Sequence, residues 1–246
     1  SDKDYRDRTT GMDRRDFFTG AAALAAGVFA MEQAHAAAHT MAPIEFSAED
    51  KIAKPVAAGA VVLITGANRG LGLEFARQYA ARGAKIIATA RTPADSVELN
   101  KLAASHKDFR VEALDVTDHA AIDALALKYA DQPVDLLLNN AGIGGGIENQ
   151  IFGKMNYDVF FDVMAVNVAG PMKMCEAFRK NVEASTLKKM VSVSSSQGSI
   201  ASVKSPMLYW YRSSKSALNM QMVNLALQLQ KKKIIIKADP AYHHEK

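Results

Sequence analysis

A chain of 246 residues, 49% of them hydrophobic, with a formal charge of +4, is long enough for one α/β domain with a full core and too short for two plus linkers. So modest a charge, with no basic run longer than Lys231-Lys232-Lys233, gives no footing for nucleic acid; such a run ordinarily ends a helix in solvent. Cys175 is the chain's one cysteine, which excludes an internal disulfide, and its neighbours Met172, Met174 and Phe178 make it a core residue.

Residues 1–38 differ in kind from the rest. Arg14-Arg15 precede Asp16-Phe17-Phe18, an Ala-rich apolar stretch from Gly20 to Met31 too short to span a bilayer, and Ala34-His35-Ala36. The order resembles a twin-arginine signal, with which bacteria export proteins already folded. It implies the twin-arginine export machinery as a partner, a periplasmic mature protein and no stable membrane anchor. Without a functioning signal the protein stays in the cytoplasm. Residues 39–58 form a polar, Pro-containing lead-in, and the folded domain is expected over 59–246.

From Ala60 short apolar runs alternate with helical patterns, the signature of βαβ units. Strands are predicted at 60–65, 85–90, 110–114, 134–139, 190–194 and 234–238, most without alternation, as suits strands covered on both faces. Helices are predicted at 71–82, 94–104, 119–130, 155–184 and 209–230. The expected fold is therefore a Rossmann-type, doubly wound parallel α/β sheet of about six strands. His243-His244 sits at a charged terminus without a supporting cysteine or carboxylate cluster, so no metal site is expected.

Two segments carry chemistry. Thr65-Gly66-Ala67-Asn68-Arg69-Gly70-Leu71-Gly72 lies between a predicted strand and helix. Its glycines allow close backbone approach, and the helix start offers free N–H groups and a positive dipole end to a pyrophosphate. In Tyr211-Arg212-Ser213-Ser214-Lys215 a phenol and an ammonium fall on one helix face. Such a charge favours ionisation of a phenol whose unperturbed pKa is about 10, making it a usable acid or base.

With Asn139-Asn140-Ala141-Gly142, Val166-Asn167-Val168 and Ser194-Ser195-Ser196-Gln197-Gly198 between them, these segments occur in the order found in the short-chain dehydrogenase/reductase family, which the chain resembles over 60 to about 240. The wording around Ala88-Thr89-Ala90-Arg91 and Ser194 to Ile200 is most similar to the C-factor and sniffer-like carbonyl reductases. The resemblance implies Tyr211 as acid/base, Lys215 as the group that favours its ionised form and holds the nicotinamide ribose, Ser195 as the donor to the substrate carbonyl, and Asn167 as holder of a water linking Lys215 to solvent. Counting back from Gly198 selects Ser195 among three serines, and strand alternation turns Ser194 and Ser196 away from it.

Cofactor contacts are implied for Gly66, Asn68, Arg69, Gly70, Leu71, Gly72, Arg91, Asp115, Val116, Asn140, Ala141, Gly142 and Pro240, besides Tyr211 and Lys215. NAD-specific sites place a carboxylate at the end of the second strand. Here that position reads Thr89-Ala90-Arg91, and Arg69 and Arg91 can clamp a 2'-phosphate, so NADP(H) is expected in preference to NAD(H).

The family's usual Pro-Gly, carboxamide-contacting Thr, substrate segment and seventh strand do not follow Asp239-Pro240-Ala241, so a C-terminally truncated fold is expected. The Gly-rich stretch within 143–156 is expected to be mobile, and Met207, Leu208 and Trp210 predict an apolar neighbourhood beside Tyr211. The expected substrate is a small uncharged carbonyl compound or its alcohol, and a homodimer is the family's habit. The competing reading is an exported nucleotide-binding or signalling protein that keeps the fold without turnover.

Overall fold

The computed structural model describes residues 56–240, all within the unit Lys54–Lys246. The signal reading, most of the lead-in, Ala241 and the His243-His244 pair lie outside the described residues. Six strands, β1 (Val61–Ile64), β2 (Lys85–Ala90), β3 (Phe109–Ala113), β4 (Leu136–Asn139), β5 (Lys189–Ser194) and β6 (Ile235–Pro240), form one sheet. All neighbours are parallel, in the order β3-β2-β1-β4-β5-β6. This is the doubly wound Rossmann-type sheet expected from the alternation of strands and helices. Its order reverses between β1 and β4, where such sheets open a crevice at their carboxyl ends.

The strands follow from burial on both faces. All four residues of β1 are buried, and successive side chains feed opposite cores. Val61 and Leu63 join Ile87, Leu137 and Met190 in one core, while Val62 and Ile64 join Ile86, Ala88 and Leu138 in the other. The helices are α1 (Gly70–Ala81), α2 (Val97–Ala104), α3 (His119–Lys128), α4 (Tyr157–Met164), α5 (Gly170–Ala177), α6 (Arg179–Glu183) and α7 (Tyr209–Leu229). Small residues Ala76 and Ala80 let α1 lie close to the second core. Leu218, Met222, Leu225 and Leu229 form the buried stripe of α7 on the first. Cys175 is 1% exposed there, and burial pushes its thiol up to about 12. It is a core residue, as its neighbours suggest.

The single helix predicted over 155–184 is instead three helices. Asn156 caps α4, its Oδ1 accepting from the amides of Asp158 and Val159. A π-helical turn, Ala165–Ala169, then widens the coil before α5. Pro171 has no N–H to give to the carbonyl of Asn167, so a regular α ladder cannot pass through this point. Phe178, at φ −90° and ψ 7°, separates α5 from α6. The predicted 94–104 helix also starts late, because Pro93 opens a separate turn, Pro93–Asp95, before α2.

Candidate active site

The crevice is built at the carboxyl ends of β1, β2 and β4. Thr65 Oγ1, after β1, accepts from the amides of Asn140 (3.0 Å) and Ala141 (3.1 Å), after β4. Asn140 Nδ2 returns bonds of 3.0 Å to the carbonyls of Thr65 and Gly66. Ala67 N reaches Thr89 O, on β2, at 2.8 Å. The turn needs its glycines at two places. Gly66 has φ +65°, and a Cβ at Gly72 would collide with Gly66 O and stand 2.5 Å from Asn140 Nδ2. Arg69, in extended conformation, precedes α1 without capping it by a side-chain bond. The first amides of α1 therefore remain for an anion.

The resulting cleft has a volume of about 720 Å³. Gly66, Asn68, Arg69, Gly70, Leu71, Gly72, Arg91, Asp115, Val116, Asn140, Ala141 and Gly142 all line it. Arg69 and Arg91 are exposed at its mouth. Asp115 accepts from Thr117 N at 2.9 Å and Thr117 Oγ1 at 2.7 Å. Partial burial works against its charge, but these two donors and the Arg91 guanidinium outweigh it and hold the carboxyl below its ordinary value. Pro240 pairs in register with Ser194 at the end of the sheet; its side chain lies outside the described residues.

The chemical end is assembled by α7 against β5. Lys215 is 5% exposed, its Nζ donates to Val193 O at 2.8 Å, and it lies 5.7 Å from the centroid of the Tyr211 ring. Burial pushes its ammonium down to about 8. A Cβ on Gly142 would stand 3.8 Å from Nζ, which ties the Lys215 head to the far wall of the cleft. The three serines separate, but not by strand alternation, because β5 ends at Ser194 and a 3-10 turn, Ser196–Gly198, begins after Ser195. Ser194 is buried and donates to Asn219 Oδ1 at 2.6 Å, Ser196 is exposed, and Ser195 is half-buried with Oγ accepting from Gln197 N at 3.1 Å. That leaves the Ser195 hydroxyl proton for another acceptor.

Asn167, in the π-helical turn, is fully buried. Its Oδ1 accepts from Ile143 N at 2.9 Å, and its Nδ2 donates to Ile143 O at 2.9 Å and Ser214 Oγ at 3.0 Å. Ser214 Oγ in turn donates to Tyr211 O at 2.7 Å. The side chain thus joins the end of the cleft to the helical turn of Tyr211.

The surroundings of the helix start are held by specific contacts. Trp210 is turned onto α4, with ring centroids 5.4 Å from Tyr157 and 4.9 Å from Phe160, and its indole N–H donates to Asn149 O and Asn156 O. The Gly-rich stretch is tied in place, with Asn149 Nδ2 on Gly145 O at 3.0 Å and Gln150 Nε2 on Gly144 O and Gly146 O at 2.8 Å.

Thr92, Leu114, Thr117, Ile143, Asp162 and Val166 also line the cleft, and sequence reasoning missed them. A usable signal existed for Asp162, which shares a helix face with Val166, the neighbour of Asn167. Among the described residues there is no cluster of three or more potential metal ligands, and no helix is long and apolar enough to cross a membrane.

Fold and cleft define a Rossmann-type α/β protein whose glycine turn and crevice are of the dinucleotide-binding kind. The chain belongs to the short-chain dehydrogenase/reductase family, whose model, described as short chain dehydrogenase, matches residues 60–240. It is 33% identical over 163 residues to (+)-neomenthol dehydrogenase of Arabidopsis thaliana, a match covering 57% of this chain and 55% of the plant protein's length. It is 34% identical over 187 residues to galactitol 2-dehydrogenase of Agrobacterium fabrum, covering 72% of this chain and 68% of that protein. The solved structure of NADPH-bound carbonyl reductase from chicken fatty liver is similar with a TM-score of 0.66 and 28% identity, over 74% of this chain and 75% of the other.

Proposed function

We propose that the protein is an NADP-dependent oxidoreductase that transfers hydride between NADPH and a small uncharged carbonyl compound, or the corresponding alcohol in reverse. The observation that carries this reading is the buried Lys215, whose Nζ lies 5.7 Å from the Tyr211 ring centroid, bonds Val193 O two residues before Ser195, and would stand 3.8 Å from a Cβ on Gly142 in the cleft wall. The cleft suits the cofactor. It has a helix start with free amides, a glycine where a Cβ would collide, and arginines instead of a carboxylate beyond β2. The chicken relative's NADPH and carbonyl reductase activity support the same choice, as does the local wording shared with carbonyl reductases.

Bound in the cleft, NADPH supplies the hydride. The Ser195 hydroxyl, keeping its proton, would hydrogen-bond the carbonyl oxygen, so that negative charge growing there meets a donor already in place. Tyr211 delivers the proton that completes the alcohol. Lys215 supplies positive charge beside the phenol and a donor toward the ribose. Asn167 holds the Tyr211 turn through Ser214. A role confined to binding would not call for all four groups.

The test is steady-state NADPH oxidation over a panel of uncharged aldehydes and ketones, run alongside NADH. Repeated turnover with NADPH is expected. The Arg69→Ala/Arg91→Ala pair is expected to lose about tenfold or more of the preference over NADH, since each arginine offers charge-assisted bonds to a phosphate. An unchanged preference in the double variant sinks the NADP assignment. Absence of turnover in both directions with every substrate sinks the enzymatic reading.

The proposal extends to delivery. Arg14-Arg15 before an Ala-rich apolar stretch supports export of the folded protein to the periplasm. Replacing both arginines by lysine is expected to leave the protein in the cytoplasm on cell fractionation; undiminished periplasmic recovery would overturn this.

A further inference from the structure

Helix α7 begins without a cap of its own. Leu208, the residue before it, has φ 55° and makes no side-chain capping bond, although the first amides of a helix have no intrahelical carbonyl to meet. Two of those amides, of Trp210 and Tyr211, donate to a single atom, Gln150 Oε1, at 2.8 and 3.1 Å. Gln150 precedes Trp210 by 60 residues in the chain. It is 2% exposed, and its amide nitrogen donates to Gly144 O and Gly146 O. One buried carboxamide thus bridges the loop at the end of the cofactor cleft and the helical turn that carries the phenol.

We infer that Gln150 is a positioning residue for Tyr211, holding the start of α7 so that the phenol stands in fixed register with Ser195 and the loop over the cleft. The inference rests on the reading of Tyr211 as proton donor. Ser214 and Arg212 hold this turn from its other side, through Ser214 Oγ to Tyr211 O and Arg212 N to Leu208 O. Gln150 restrains the amide of Tyr211 itself. Ile143, gripped by Asn167, and Gly144 and Gly146, gripped by Gln150, tie one loop to the Tyr211 turn at two points. Losing the Gln150 bonds frees the first turn of α7, and a misplacement of about 1 Å at a reacting group costs up to roughly 100-fold in rate.

Two variants separate positioning from space-filling. Gln150→Met keeps the length and volume but cannot accept from the two amides. Gln150→Glu keeps an acceptor for them, at the expense of the bonds to the glycine carbonyls. The expected result is that the Met variant loses about tenfold or more in kcat. NADPH dissociation constants stay within about twofold in both variants, and the Glu variant keeps most of the wild-type kcat. A side chain that merely fills space predicts the reverse order, so a Met variant as active as wild type, or a Glu variant no better than Met, overturns the inference. Amide hydrogen exchange at Trp210 and Tyr211 decides independently of turnover. Faster exchange in the Met variant than in wild type and Glu supports the clamp, and equal exchange in all three overturns it. A wild-type protein that reduces no carbonyl would instead sink the function reading, leaving the exchange result to judge Gln150.

Discussion

Tyr211→Phe is expected to bind NADPH as wild type does and to lose turnover by about 100- to 10,000-fold, the range that a positioned acid or base supplies. The change deletes one hydroxyl and little else. The ring remains under Lys215 Nζ, the backbone carbonyl still accepts from Ser214, and the amide still donates to Gln150. Neither the cofactor turn at Thr65–Gly72 nor the serine at the end of β5 depends on the phenol oxygen. The loss should therefore fall on kcat, with cofactor affinity unmoved, which marks an interaction made in the transition state. Single-turnover NADPH oxidation with a reactive aldehyde, paired with a binding titration, measures both. A variant that keeps more than about a tenth of the rate rejects Tyr211 as the acid/base group.

Lys215→Met is expected to be as damaging to turnover, yet to raise stability near neutral pH and to lose the gain in stability that the wild type shows as pH climbs. Its ammonium is 5% exposed and sits at about 8 in the folded protein, against an ordinary 10.5, because burial disfavours the charge. Between those values the unfolded chain binds more protons than the native one, so this lysine makes stability rise as pH climbs from about 8 to about 10.5. Below 8 the penalty is present in full, on the order of 3 kcal/mol from the size of the shift. The Met variant removes that slope, and leaves Val193 O without the donor it has at 2.8 Å in the wild type. Urea midpoints of both proteins at pH 7.5 and pH 10 should converge toward the higher pH or cross in favour of the wild type. A wild-type-minus-variant difference that does not move with pH would show that Lys215 is not buried as a depressed cation.

Much of the fold is legible in the residues because β1, β2 and β4 are covered on both faces, which leaves mostly apolar runs in the chain. β3, an edge strand with Arg110 exposed and Phe109 buried, is less uniform; strand starts differ from the predicted ones by at most two residues, as at β4. The region 155–184 reads as helical from its periodicity, but its break does not. A π-helical turn forms where Pro171 withholds a donor and where Asn167 finds partners in Ile143 and Ser214, which are 24 and 47 residues away. Local propensity contains no record of those partners. The partners of Trp210 were likewise not legible, since the indole meets Tyr157, Phe160 and two backbone carbonyls in a segment 50 or more residues away in the chain.

By itself, the sequence determined the family and the fold class, and it placed the glycine turn between strand and helix and Tyr211 with Lys215 one helical turn on. These placements depend on spacing along a single element, where geometry follows from local periodicity. Only the tertiary structure decided that Lys215 is buried enough to titrate near 8, that Asn167 spends its side chain on protein partners, and that Gln150 holds the start of α7. Desolvation and hydrogen bonding depend on which groups distant in the chain are brought into contact, and that is settled by packing.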